Sequence, residues 1–261
     1  MSASETVGAN AGNEDMNVID DDDLPILPIM VLPEPTTSGG MPLLDALRTR
    51  RSSRKFGTTD VPLQELANLL WAAFGLSRPD QGRGIQAPGS HTAPAAHNWQ
   101  EIDIYVAIRD GLYLYEPEPH LLRPVLAADI RPFTTHAVQP FVLDAPLDLI
   151  YVADLARMDD ASEWDKSVFP WADTSFISEN VYLYCASAGL ATIVRALFDR
   201  PGLSRAMRLR PSQLVTFSQP IGYAGECGSA WHFADIGGGE AGGHSISPEV
   251  SPCTPEAHAP G

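Results

Sequence analysis

A chain of 261 residues, 44% of them hydrophobic, is long and apolar enough to bury a sizeable core, so most of it is expected to be globular. Its formal net charge of −16 belongs to the tails: residues 1–40 hold eight acids, residues 223–261 hold five, and neither stretch contains Lys or Arg. The middle, 41–222, carries 17 bases against 20 acids, which excludes a broad nucleic-acid-binding face.

In chain order, residues 1–24 are polar and acidic, with too few apolar groups to offset chain entropy, and are expected to be disordered. "LPILPIMVLPEP" (24–35) is apolar but broken by four prolines, which predicts an extended arm lying on a surface. "MPLLDALRTR" (41–50) has apolar residues at helical spacing. "PLQELANLLWAAFGL" (62–76) predicts a helix with Leu63, Leu66, Leu69, Leu70, Ala73 and Phe74 on one face. Pro62 and Gly75 sit near its two ends, where each is favoured.

"EIDIYVAI" (101–108) alternates like a strand, "RDG" is turn material and "LYLY" (112–115) returns, which together predict a hairpin. "PLDLIYVAD" (146–154) is a further strand candidate. "DTSFISENVYLYCASAGLAT" (173–192) reads as a long helix stopped at Gly189, and "QLVTFSQPIGYA" (213–224) as a strand and turn. Helices and strands interleave without a βαβ rhythm, which predicts an α+β fold around a mostly antiparallel sheet. Residues 236–261 are rich in Gly, Pro and Ser and read as a second disordered tail. No secretory leader and no apolar run of membrane-spanning length is present, so a cytoplasmic protein is expected.

"RTRRSSRKF" (48–56) concentrates Arg48, Arg50, Arg51, Arg54 and Lys55, five of the chain's seventeen bases. Cations at a helix C-terminus are favoured by a few tenths of a kcal/mol, which is the plain reading. The other is a compact anion site, in which guanidiniums and the hydroxyls of Ser52 and Ser53 wrap one phosphate.

Other chemistry finds little support. Ser90, His91 and His97 lie close in sequence, but no G-x-S-x-G elbow accompanies them. Cys227, His232, His244 and Cys253 lack metal-ligand spacing, so no metal site is expected. Three cysteines argue against a disulfide framework, and Cys185, in an apolar run, reads as a core residue.

The neighbours of the basic cluster decide between its readings. "RRSSRKF" resembles the opening motif of the nitroreductase-like flavoproteins. "TAPAAHNWQEIDIYV" (92–106) resembles their loop entering a strand, "DTSFISENVYLYCASAGLAT" their central helix, and "SQPIGYA" (218–224) a strand end. The ordered set covers 48–224. "GLYLYEPEPHLL" (111–122), "VADLARM" (152–158) and the proline-rich arm are closest in pattern to the SagB-type dehydrogenases.

The resemblance implies an FMN-binding nitroreductase-like domain over 41–224, between an N-terminal tail and arm (1–40) and a C-terminal tail (225–261). It implies an obligate homodimer with FMN at its interface. Carried onto this chain, Arg50, Arg51, Ser52 and Arg54 would hold the ribityl phosphate. Asn98 would bond the flavin ring or ribityl chain, with Pro94, Ala95 and Ala96 lining the same loop, and the backbone N–H groups of Ala196 and Leu197 would face the ring's reactive edge.

The implied activity is transfer of reducing equivalents from NAD(P)H to a small organic acceptor of nitro, quinone or enone type, with no essential acid or base side chain evident. The alternatives are oxidation of an azoline-like peptide or natural product with oxygen as acceptor, and a scaffold that keeps the fold without catalysis. Two departures stand out: no base follows Arg210, and Lys166 is followed by Ser167 where azoline oxidases show a Lys-Tyr pair.

Overall fold

The computed structural model describes residues 25–78 and 90–225. Residues 1–24, 79–89 and 226–261 lie outside it, and with them the two expected disordered tails and Cys227, His232, His244 and Cys253. The elements run β1 (Met30–Val31), α1 (Leu43–Thr49), α2 (Leu63–Phe74), β2 (Leu76–Arg78), β3 (Ser90–His91), β4 (Ile102–Ile108), β5 (Gly111–Glu116) and β6 (Leu121–Leu126). There follow β7 (Leu147–Asp154), α3 (Glu163–Ala188), β8 (Leu190–Thr192), α4 (Arg200–Ala206) and β9 (Gln213–Tyr223).

Seven strands form one sheet in the order β1-β6-β5-β4-β7-β9-β8, and every pairing is antiparallel. β7 lies between β4 and β9, and all eight of its residues are buried. Its alternate side chains enter two different cores. Leu147, Leu149, Tyr151 and Ala153 pack under α2 and α3, while Ile150 and Val152 meet Phe198, Leu203 and Met207 on the opposite side. Burying each such aliphatic side chain stabilises the fold by about 1.5–3 kcal/mol.

α2 presents Leu66, Leu69, Leu70, Ala73 and Phe74 to the first core as the spacing predicts, but Leu63, in the first turn, remains 42% exposed. The hairpin closes with Ile108 opposite Gly111. β6 has no counterpart among the strand candidates of the sequence, and the ladder absorbs Pro124 at a register shift opposite Tyr113. The proline-rich arm does more than lie on a surface. Met30 and Val31 extend the sheet beside β6, the Leu32 amide donates to the His120 carbonyl at 3.2 Å, and Leu32 is buried.

α3 begins ten residues before the expected start at 173. Ser162 accepts the Asp165 N–H while the Asp165 carboxylate accepts the Ser162 N–H, a reciprocal cap that starts the helix. Pro170 then sits inside the helix without a backbone donor, a residue that local rules exclude from a helix interior. Cys185 is buried, and Gly189 ends the helix at φ 72°, ψ 22°. Among the described residues no helix is long and apolar enough to cross a membrane.

Nothing lies within 4 Å of where a Cβ on Gly189 would sit, so the left-handed backbone alone decides the effect of substitution there. Gly189→Ala is expected to lower stability by about 1–2 kcal/mol, and Gly189→Asn by less, in urea unfolding followed by circular dichroism.

Candidate functional site

α1 ends at Thr49, and the basic segment leaves it in extended conformation, with Arg50 at φ −52°, ψ 128°. The segment is tied down by backbone: the Ser53 amide donates to the Thr192 carbonyl at 2.9 Å and the Gly57 amide to the Tyr223 carbonyl at 2.8 Å. Phe56 is buried and bridges to Ala224. The cationic side chains therefore project from a strip fixed across the ends of β8 and β9. Arg48 pairs with Asp45 on α1 and is spent there. Arg51 and Arg54 are exposed and, among the described residues, form no hydrogen bond or ion pair.

Tyr182, on the buried side of α3, organises this region. Its hydroxyl lies 2.9 Å from the Ser52 Oγ and accepts the Val194 N–H at 2.9 Å. The Arg50 guanidinium lies over its ring, 5.2 Å from the centroid. One phenol thus aligns an arginine, a serine hydroxyl and the chain entering residues 194–197.

That chain is held from its other side by Arg195. Its backbone exchanges two hydrogen bonds with Ser218, at 2.7 and 3.0 Å. Its buried guanidinium donates to Gln139 Oε1, the Thr134 carbonyl and the Leu197 carbonyl, and stacks over Phe141. Burial pushes the Arg195 pKa down, and the Asp148 carboxylate opposes this. Asp148 is itself pushed up by complete burial, offset by hydrogen bonds from Thr134 and Ser218. Arg195 is therefore a strut, while Ala196 and Leu197 stay exposed.

Loop 94–98 lies against the N-terminal half of α3. Pro94 and Asn98 are exposed, and Ala95 and Ala96 are half-buried. The Asn98 Oδ1 accepts from the Gln100 side-chain amide at 3.1 Å. His97, Asn98 and Gln100 adopt φ of 49°, 59° and 50°. A left-handed backbone disfavours His97 and Gln100 by about 1–2 kcal/mol each and Asn98 by less, and such strain gathers where a loop must hold one shape. The His97 ring stacks on Trp99 at 4.5 Å, and Trp99 and Trp164 both meet Phe169 edge-on.

Beneath the loop, the Ala96 amide donates to Asp173 Oδ2 at 2.7 Å. Asp173 faces Glu101, the residue before β4. Glu101 has no solvent exposure, and neither of its carboxyl oxygens receives an N–H or O–H donor from the described residues. Burial above all, and after it the Asp173 carboxyl, push Glu101 up to about 7 against the opposing pull of its own backbone amide and of Arg157; burial likewise raises Asp173.

The structure thus brings Arg50, Ser52 and the chain leading to Ala196 and Leu197 together at the C-terminal half of α3. The bonds of loop 94–98 run instead to its N-terminal half. Asp173 and Tyr182 are nine residues apart, about 13.5 Å along a helix at 1.5 Å per residue. A cavity of about 140 Å³ beside Phe74, Asp103 and Arg157 is lined by none of the expected site residues. Tyr182, Arg195 and Glu101 were missed from sequence. A tyrosine in an apolar helix reads as core, an arginine in "IVRALF" as surface, and an acid before a strand as solvated.

Comparison with known proteins identifies the family and the fold. The nitroreductase family matches residues 47–223. A protein of Methanocaldococcus jannaschii assigned to the nitroreductases is 31% identical over 166 residues, covering 60% of this chain and 80% of that one. The crystal structure of a protein from Ralstonia eutropha assigned to the nitroreductases superposes with a TM-score of 0.70 at 40% identity, covering 76% of this chain and 90% of that one. The NADPH:FMN oxidoreductase of Vibrio harveyi shares the fold at 15% identity and a TM-score of 0.51, over 70% of this chain and 68% of the other. The chain belongs to the nitroreductase family.

Proposed function

We propose that this oxidoreductase binds FMN, takes reducing equivalents from NAD(P)H and passes them to a small organic acceptor of nitro, quinone or enone type. The observation that carries this reading is the Tyr182 hydroxyl, which aligns Ser52 and the Val194 amide while its ring aligns Arg50. The donor set fits a phosphate monoester. Arg51 and Arg54 have guanidiniums committed to no partner among the described residues, and Ser52 adds a hydroxyl. The likeness to the Vibrio harveyi NADPH:FMN oxidoreductase supports the choice of cofactors only at the level of fold.

In this reading Arg50, Arg51, Ser52 and Arg54 hold the phosphate. The N–H groups of Ala196 and Leu197 face the ring edge, where backbone donors stabilise developing negative charge. Arg195 fixes those donors by holding the Leu197 carbonyl at 3.1 Å. Pro94, Ala95, Ala96 and Asn98 form the wall of a ring pocket. When bound, FMN supplies a ring that accepts a hydride and returns electrons singly or in pairs. The protein contributes position and charge.

We also propose that the active form is a homodimer. Leu43, Leu44 and Leu47 of α1 are 63%, 78% and 49% exposed, and Phe176 of α3 is 50% exposed. A second copy covering these side chains would contribute the apolar burial that a stable dimer needs. The azoline-oxidising alternative loses support at Lys166, since the neighbouring Ser167 hydroxyl donates to the Trp164 carbonyl at 2.7 Å. No Lys-Tyr pair stands there.

Three variants test this reading. Arg54→Ala is expected to weaken FMN binding about 10- to 100-fold, the loss of a charge-assisted bond of about 1.5–3 kcal/mol, while riboflavin binding stays unchanged. Tyr182→Phe is expected to weaken FMN binding about threefold to tenfold. Flavin fluorescence titration reads both, and equal losses for FMN and riboflavin would contradict a phosphate seat. Leu44→Glu is expected to yield monomers in analytical ultracentrifugation where the parent sediments as a dimer.

A further inference from the structure

We infer that Glu101 positions loop 94–98 by sharing one proton with Asp173, the carboxylate that holds the Ala96 amide. The inference deepens the proposed function and rests on it only in naming the loop a flavin wall.

Three observations carry it. Glu101 is fully buried, Asp173 is 3% exposed, and the two carboxyls face each other. The Glu101 oxygens accept from no donor among the described residues, so a proton held between the two groups supplies the hydrogen bond that geometry otherwise denies them. The loop above needs restraint, with three non-glycine residues in the left-handed region within four positions. The Ala96–Asp173 bond at 2.7 Å restrains its start, and the Arg157 bond to the Gln100 carbonyl, at 2.8 Å, restrains its end.

The charged groups around the pair are few. Arg157 faces Glu101 from the turn after β7, but its guanidinium is already engaged by Asp103 at 2.6 Å as well as by the Gln100 carbonyl. Asp173 faces it from α3. On the loop itself the titratable group is His97, whose charge acts on Asp165 of α3. Among the described residues, no cation is therefore free to replace the proton.

The sign of the pH dependence follows. Glu101 rises from 4.5 to about 7 on folding, so the folded protein binds a proton that the unfolded chain has released. The stabilisation is fully present below pH 4.5 and is lost as pH rises through about 7, when two buried carboxylates face each other and the clamp on Ala96 loosens.

The test is selective ¹⁵N-alanine NMR of the full-length, flavin-free protein between pH 5.5 and 8.5, with FMN affinity measured in parallel. The Ala96 amide is expected to titrate with a midpoint near 7. FMN affinity is expected to fall about tenfold across that midpoint, the equivalent of one pKa unit of coupling. Glu101→Gln supplies a permanent amide donor to Asp173 and should flatten both responses. Asp173→Asn, which keeps an oxygen for the Ala96 amide, should also remove the midpoint near 7 and serves if the first variant folds poorly. His97→Asn tolerates the left-handed backbone and should leave the titration intact.

A titration that persists in both Glu101→Gln and Asp173→Asn, or that disappears in His97→Asn, overturns the inference. An Ala96 titration that follows Glu101 without a matching change in FMN affinity supports the shared proton, and overturns instead the assignment of this loop to the flavin.

Discussion

The Tyr182 hydroxyl stands between Ser52 and Val194, 142 residues apart in sequence, and gives each chain segment a fixed place. It can do so because α3 is long, capped at both ends and packed on β7, whose residues are buried throughout. A buried hydroxyl must find partners, and here its partners are the basic strip and the chain after β8. The cationic strip in a nearly neutral core is then explained locally. Fixed backbone carries the guanidiniums, while exposure on the outer side leaves Arg51 and Arg54 open to an anion.

The same economy recurs at the other half of α3. Asp173 fastens a strained loop, and Glu101 beneath it has no donor for its oxygens among the described residues. Arg195 does for residues 196–197 what Asp173 does for residue 96. In each case a buried charged group is spent on backbone atoms, leaving exposed main chain and small side chains facing outward. Such supports suit a protein that contributes position and electrostatics while a cofactor supplies the redox chemistry.

Much of the fold was legible because period and punctuation agree in this sequence. The alternation in 101–108, the turn at 109–111 and the helical stripe of 62–76 lie within a residue or two of β4, β5 and α2. The failures have physical causes. Local rules exclude Pro124 from a strand interior, yet a register shift accommodates it in β6; they exclude Pro170 from a helix interior, yet the Ser162–Asp165 cap outweighs one missing donor. Leu63 followed the helical stripe yet remains exposed. The basic strip was visible as composition. Its organiser was not, since nothing local distinguishes Tyr182 from a core aromatic until residues 52 and 194 fold against it.

The most direct test of the account is anaerobic titration of the FMN-reconstituted protein with NADPH and with NADH, followed by a nitroaromatic or quinone. The account predicts that at least one nicotinamide bleaches the bound flavin stoichiometrically and that the acceptor restores its absorbance. A protein that binds FMN tightly but shows no bleaching with either nicotinamide would contradict it.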